Sequence, residues 1–224
     1  MEYRVISIGA LSRHELWNEP AATRTAHATT ILIRSGDKNI LVDPGLPGQA
    51  IVARLKERSG LDPDDITDVF LTNFRPAHRM GLLAFDKARW LISEMERESV
   101  GRALVDQVRH AEEDAQLTKL LEQEIAVLQR CQPAPDRIAD QVDLFPLPGF
   151  TPGTCGLLLL QSNSTALVAS DAVPTVEHMG QGKVLRHSYD AEQNRESFIE
   201  AMEIADVIIP GHDNLQLNPS RRPM

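Results

Sequence analysis

The sequence predicts an α/β domain built as a four-layer αββα sandwich, two mixed β-sheets packed back to back with helices on both outer faces. Three observations lead there. Apolar, β-branched runs of strand length recur along the 224 residues. Amphipathic segments of helical period interrupt them. The order runs strands, helix, strand, helices, strands, helix, strand, which places helices outside paired sheets. A chain of this length buries a full core, and residues 1–224 are expected to form a single domain.

Taken in order, strand-like runs fall at about residues 3–8, 29–34 and 39–43. Ser35-Gly36-Asp37-Lys38 reads as a hairpin turn between the second and third. Gly48 to Arg58 reads as a helix with Ile51, Val52 and Leu55 on one face, closed by Gly60. Further strands follow at about 68–72 and 89–92. From Glu94 to Gln129 there is no proline and only Gly101 among the glycines, while Leu104, Val108, Leu117, Leu120, Leu121, Ile125 and Leu128 recur at helical spacing. This stretch, about 94–130, is a helical elaboration. Its apolar positions suit core-facing amphipathic helices, or alternatively a lid or a homodimer surface near the mouth of a site. Strands at about 142–147, 156–161 and 165–170 come next. Asp190 with Gln193 resembles a capping box that opens a helix to about Ala205, with Phe198 and Met202 inward. A last strand covers about 206–209.

Composition narrows the function classes. Hydrophobic content of 42% and charged content of 25% are ordinary for a globular protein. No apolar stretch is long enough to span a bilayer. The N-terminus reads as a first strand rather than an export signal, so a cytoplasmic location without membrane partners is expected. Net charge is 23 − 32 = −9, which disfavours nucleic acid as a partner, because phosphate binding needs clustered Lys and Arg. A small-molecule ligand is the partner expected. Cys131 and Cys155 lie far apart in sequence and read as two free thiols, Cys155 as a buried, inert one.

One loop carries most of the chemical information. Leu71-Thr72-Asn73-Phe74-Arg75-Pro76-Ala77-His78-Arg79-Met80-Gly81 follows a strand-like run. It resembles the metal loop of the metallo-β-lactamase superfamily, T-H-x-H-x-D-H-x-x-G. Four further segments resemble that family in its order. They are Asn39 to Gly45, Phe145 to Thr154, Ala166 to Asp171, and Val207 to Asp213. In the family, two imidazoles from the loop and a later one hold a first metal. An Asp-His pair and a final His hold a second, and a later Asp bridges both. The metals together activate a water for attack on a carbonyl or phosphoryl centre.

Carried over by position, the resemblance implies a degenerate site. Asn73, Arg75 and Phe150 stand at the three imidazoles of the first metal, and Ala77 stands at the loop Asp. His78, Asp171 and His212 remain and form a possible single site for one zinc or iron ion. Alternatively no metal binds, and Arg75 reaches into the cleft to pair with Asp171 in the metal's place. Asp171 and His78 are the candidate catalytic residues, and Asp43, Asn73, Arg75 and Phe150 are the candidates for lining or supporting the site. Asp43 is expected to hold the 73–78 loop by hydrogen bonds. His14 with Trp17 lies in a stretch that suits a rim over the site or, equally, core or edge packing, and His27 and His187 suit surface or structural roles, with facing the cleft as the alternative. The implied function is hydrolysis of an ester, thioester, lactone or similar small molecule. The alternative is a non-catalytic relative that binds a small molecule or a partner protein in the former metal cleft.

Overall fold

The computed structural model describes residues 1–111 and 114–221. The first half of the chain forms β1 (Glu2–Ser7), β2 (Thr30–Ser35), β3 (Lys38–Val42), α1 (Gly48–Ser59), β4 (Asp68–Leu71), α2 (Pro76–Arg79), β5 (Arg89–Ile92) and α3 (Glu94–His110). The second half forms α4 (Ala115–Arg130), β6 (Gln132–Pro133), β7 (Arg137–Ala139), β8 (Val142–Pro146), β9 (Cys155–Leu160), β10 (Thr165–Ser170), α5 (Val176–Gln181), α6 (Ala191–Ile204), β11 (Val207–Pro210) and β12 (Gln216–Leu217). One sheet has the order β1-β2-β3-β4-β5-β6, and the other has the order β12-β11-β10-β9-β8-β7. Strands β3 to β6 run parallel, as do β10 and β11, while the remaining pairs are antiparallel.

Side-chain alternation along the strands builds the four layers. In β2 and β3, Ile31, Ile33, Ile40 and Val42 point between the sheets, where they meet Leu157 and Leu159 of β9 and Val168 of β10. Leu32 and Leu41 point the other way, onto the layer of α1, α3 and α4, with Ile51, Leu55, Leu104 and Leu128. On the far side Leu167 and Ile208 meet Phe198 and Ala201 of α6. Each such fully buried aliphatic side chain stabilises the fold by about 1.5–3 kcal/mol relative to exposure. A strand buried on both faces needs apolar residues at every position, which is why β4 reads as an unbroken run ending in Val69, Phe70 and Leu71.

The expected elements are present. The helical elaboration is the helix pair α3 and α4. Asp114 caps the second by accepting the backbone N–H groups of Gln116 and Leu117. Glu112 and Glu113, between them, lie outside the described residues. Of the apolar positions expected there, Leu104, Leu121 and Leu128 are buried, but Leu117 and Leu120 stay exposed. Asp190 caps α6 by accepting from Glu192 and Gln193. Gly60 ends α1 in the left-handed region at φ 76. The short strands β6, β7 and β12 were not legible, because two or three residues carry no period. No helix among the described residues is long and apolar enough to cross a membrane.

One buried carboxylate ties the elaboration to the sheet ends. Glu96, in the first turn of α3, accepts the Phe74 N–H at 3.0 Å through one oxygen. Its other oxygen accepts the Thr151 hydroxyl at 2.7 Å and the Gly153 N–H at 3.1 Å. Glu96→Ala leaves two buried N–H groups without partners, at about 1–3 kcal/mol each. Denaturant melts are expected to show a loss of about 2–4 kcal/mol. Both cysteines are free and buried. Burial pushes the Cys131 thiol up to about 11 against the pull of nearby arginines, and it pushes Cys155 up to about 12. Neither thiol is therefore expected to react with a disulfide reagent in the native protein, and both should react on unfolding.

Candidate metal centre and active site

The site forms where strands from both sheets end together. Asp43 follows β3, Thr72 and Asn73 follow β4, Ser170 and Asp171 close β10, and His212 follows β11. Asp43 and Ser170 both adopt left-handed backbone, at φ 49 and 51. Such conformations cost non-glycine residues about 1–3 kcal/mol and concentrate at functional sites. The loops also approach each other closely. A Cβ on Gly45 would lie 2.4 Å from the Ala77 carbonyl oxygen, and one on Gly211 would lie 2.8 Å from Ser170. Glycine at these two places is what lets the segments meet.

A continuous chain of polar contacts runs through the site. Asp43 accepts the Thr72 N–H at 2.9 Å and the Thr72 hydroxyl at 2.6 Å. The same carboxylate meets His78 Nδ1 at 2.9 Å. His78 Nε2 then lies 2.8 Å from one oxygen of Asp171, and His212 Nε2 lies 3.0 Å from the other. His212 Nδ1 donates to the His27 carbonyl at 3.0 Å. Asn73 Nδ2 donates to Asp171 at 2.9 Å, and its Oδ1 accepts the Arg75 N–H. The Ser170 hydroxyl lies 2.7 Å from the Thr72 oxygen. All of Asp43, Thr72, Asn73, His78, Ser170, Asp171 and His212 are buried.

This burial sets the electrostatics. Desolvation alone pulls His78 down, but the carboxylates of Asp43 and Asp171 on either side overcome it and raise the imidazole to about 10. Burial pushes Asp171 up, and His78 and His212 more than reverse that, holding it well below the usual carboxylate range. The same residues suit one metal ion. One ligand atom from each of His78, Asp171 and His212 lies within 4.8 Å of the other two. Ligands about 2.0–2.1 Å from a tetrahedral zinc sit about 3.3 Å apart. A small opening of the 2.8 and 3.0 Å contacts therefore admits an ion. Each imidazole already has Nδ1 engaged by an outer acceptor, the arrangement that presents Nε2 to a metal. Asn73, Arg75 and Phe150, which stand at the family's other imidazole positions by the sequence resemblance, supply no imidazole or carboxylate.

The pocket above the site has a volume of about 240 Å³. Its lining includes His78, Asp171 and His212 at the base, with Arg75, Phe150 and His187 on the wall. The expected ion pair between Arg75 and Asp171 does not form. Arg75 is exposed, and its guanidinium sits 5.5 Å from the centre of the Phe150 ring. Two causes act together. Arg75 precedes Pro76 in extended backbone, at φ −61 and ψ 145, which turns its side chain outward. Asp171 already accepts from His78, His212 and Asn73, so the carboxylate has no need of a guanidinium.

Phe150 packs with Leu11 and Leu185 and stands edge-on to His187, with ring centres 5.6 Å apart. An apolar cap thus occupies the place of an imidazole. Leu11, Ser12, Arg13 and Glu15 form the rim of the pocket. His14 stacks on Trp17 with centroids 4.0 Å apart, and it reaches Thr175 and Glu177 at 3.1 and 3.2 Å. This pins the rim to α5. His187 faces the pocket, whereas His27 contributes its carbonyl rather than its ring. Sequence reasoning missed Ser170, the His27 carbonyl and Glu96. The first two act through a hydroxyl and a backbone atom, which leave no motif, and Glu96 lies outside every motif segment.

The comparisons with known proteins agree with this architecture. The family model described as the metallo-beta-lactamase superfamily matches residues 24–212. No curated protein matches the sequence. A crystal structure of a putative metallo-beta-lactamase from Thermotoga maritima is similar at 18% identity and a TM-score of 0.69, with 96% of this chain and 98% of that one covered. AidC, a dizinc quorum-quenching lactonase in complex with a product, is similar at 17% identity and a TM-score of 0.66, with coverage of 85% and 74%. The hydrolase AbOPH is similar at 16% identity and a TM-score of 0.64, with coverage of 100% and 92%. The family match over most of the chain, on an αββα frame with His78, Asp171 and His212 converging at the strand ends, shows that this protein belongs to the metallo-β-lactamase superfamily.

Proposed function

We propose that this protein is a mononuclear metal-dependent hydrolase acting on the carbonyl of an ester, thioester or lactone. One observation carries the reading. His78 and His212 each have Nδ1 held by an outer acceptor, Asp43 and the His27 carbonyl, and both turn Nε2 onto Asp171. A zinc or iron ion bound there supplies an acidified water and a Lewis acid for the carbonyl. His78, Asp171 and His212 would hold that group. Asp43 and Thr72 orient His78, while Phe150, Leu11 and Leu185 keep bulk water from the wall. Arg75, exposed at the rim, attracts a negatively charged substrate. The lactonase among the similar structures supports the carbonyl class.

Elemental analysis of purified protein is expected to find one equivalent of metal per chain. His78→Ala and His212→Ala should each abolish uptake, and Asp43→Asn should weaken it about 10–100-fold. Two equivalents would contradict the reading.

A second reading rests on the contacts of 2.8 and 3.0 Å that close the site directly. Here the protein is non-catalytic, and the His78 imidazolium between two carboxylates is the permanent filling of the cleft. A raised His78 contributes stability in full below its unfolded value of about 6.5, and loses it as pH rises through about 10. Chelator-treated protein should therefore lose thermal stability from neutral pH to pH 10, and His78→Gln should flatten that slope. Zinc uptake runs the other way and strengthens as pH rises, because a ligand imidazole must be neutral. Stabilisation by zinc that grows with pH supports the hydrolase, and indifference to zinc supports the second reading.

A further inference from the structure

A second concavity adjoins the site. It lies between α3, α4 and the loops that carry Phe74 and Pro152, and its volume is about 680 Å³, nearly three times that of the pocket over the metal ligands. That is the size of a small-molecule site. Its wall is mostly apolar, formed by Phe74, Met95, Val100, Leu104, Leu121 and Pro152. The two cavities share Arg75 and Pro76, so they meet at the Arg75 side chain.

The charges on the groove are uneven. Arg79 is paired with Glu124 and lies 4.0 Å over the Phe74 ring. The Glu96 carboxylate is occupied by Phe74, Thr151 and Gly153. Arg75 and Arg102 have no acidic partner among the described residues, and both are exposed. On a chain of net charge −9, the free charge along this groove is therefore positive. An apolar trough with a free guanidinium at its junction with the reaction pocket suits one ligand chemistry, an acyl chain bearing a negative group.

We propose that the groove binds the hydrocarbon chain of an anionic amphiphile, with Arg75 holding its negative group at the junction of the two cavities. Placing the scissile carbonyl of such a molecule at His78, Asp171 and His212 rests on the hydrolase reading above. Binding of the chain does not. The substrate class that follows is an acyl ester or lactone with a chain long enough to enter the groove and an anion near the carbonyl. Chain length then sets affinity, and charge sets orientation.

The test is calorimetric titration of the full, chelator-treated protein with hexanoate, octanoate and decanoate, so that no bound metal can capture the carboxylate. Affinity should rise about threefold to fourfold per added methylene. Decyltrimethylammonium, of matching chain length and opposite charge, should bind at least tenfold more weakly than decanoate. Arg75→Glu should remove that preference. Ala103→Trp, at an exposed position of α3 on the groove, should lower decanoate affinity at least tenfold. Arg102→Glu, on the same helix surface, serves if the tryptophan variant fails to fold, and should weaken decanoate relative to the cationic probe. Affinity that ignores chain length, or equal binding of the two charges, overturns the proposal. Metal content, measured separately, keeps the two readings apart. Decanoate binding by a protein that takes up no zinc sustains the groove and sinks the hydrolase. One equivalent of zinc with no decanoate binding sinks the groove alone.

Discussion

The structure turns on the Asp171 carboxylate, fully buried at the end of β10. A buried anion without compensation costs several kcal/mol, so everything around it must supply donors or positive charge. The chain does this with neighbours from both sheets. His78 arrives from α2, His212 from the loop after β11, and Asn73 from the turn that follows β4. The strained backbone of Ser170 and the glycine at position 211 are consequences of bringing those loops within reach. Asp43 then repeats the problem one step out, and Thr72 and His78 answer it.

Charge balance links that constraint to function. Asp43 and Asp171 carry two negative charges in a buried space, and His78 between them takes a proton when no metal is present. On the reading proposed above, one dication would balance both carboxylates, with His78 and His212 as neutral imidazole ligands. A second dication would bring surplus positive charge with no anion to meet it, since Ala77 stands where the family has a carboxylate and Arg75 adds a cation at the rim. The residues at positions resembling the family's first site fit that reading. Phe150 joins Leu11 and Leu185 in an apolar cap, and Asn73 has become a hydrogen-bond donor to Asp171 rather than a ligand.

Much of this was legible in the sequence. The strands were visible because their apolar runs are buried on both faces, as in β4, and α1 announced itself by its stripe and its closing Gly60. His78, Asp171 and His212 were recognisable because each follows a strand in the order of the family. The direction of Arg75 was not legible. Position alone suggested an inward side chain, but the backbone before Pro76 turns it out, and a carboxylate already served by three donors exerts no pull. Glu96 was hidden for a different reason. A glutamate in the first turn of an amphipathic helix reads as solvated, and only the packing of α3 against the loops at Phe74 and Thr151 buries it. The groove beside α3 was equally hidden, since it is made by helices and loops distant in sequence.

The proposed function requires that one cation, and no more, binds at Asp171. Anomalous diffraction at the zinc edge from crystals grown with excess zinc tests it most directly. The expected result is a single strong peak within about 2.0–2.2 Å of His78 Nε2, His212 Nε2 and an Asp171 oxygen, with Asp43 and the His27 carbonyl still on the Nδ1 atoms. A pair of peaks about 3.5–4 Å apart, as two-metal hydrolases show, or a zinc bound through Asn73, would contradict it.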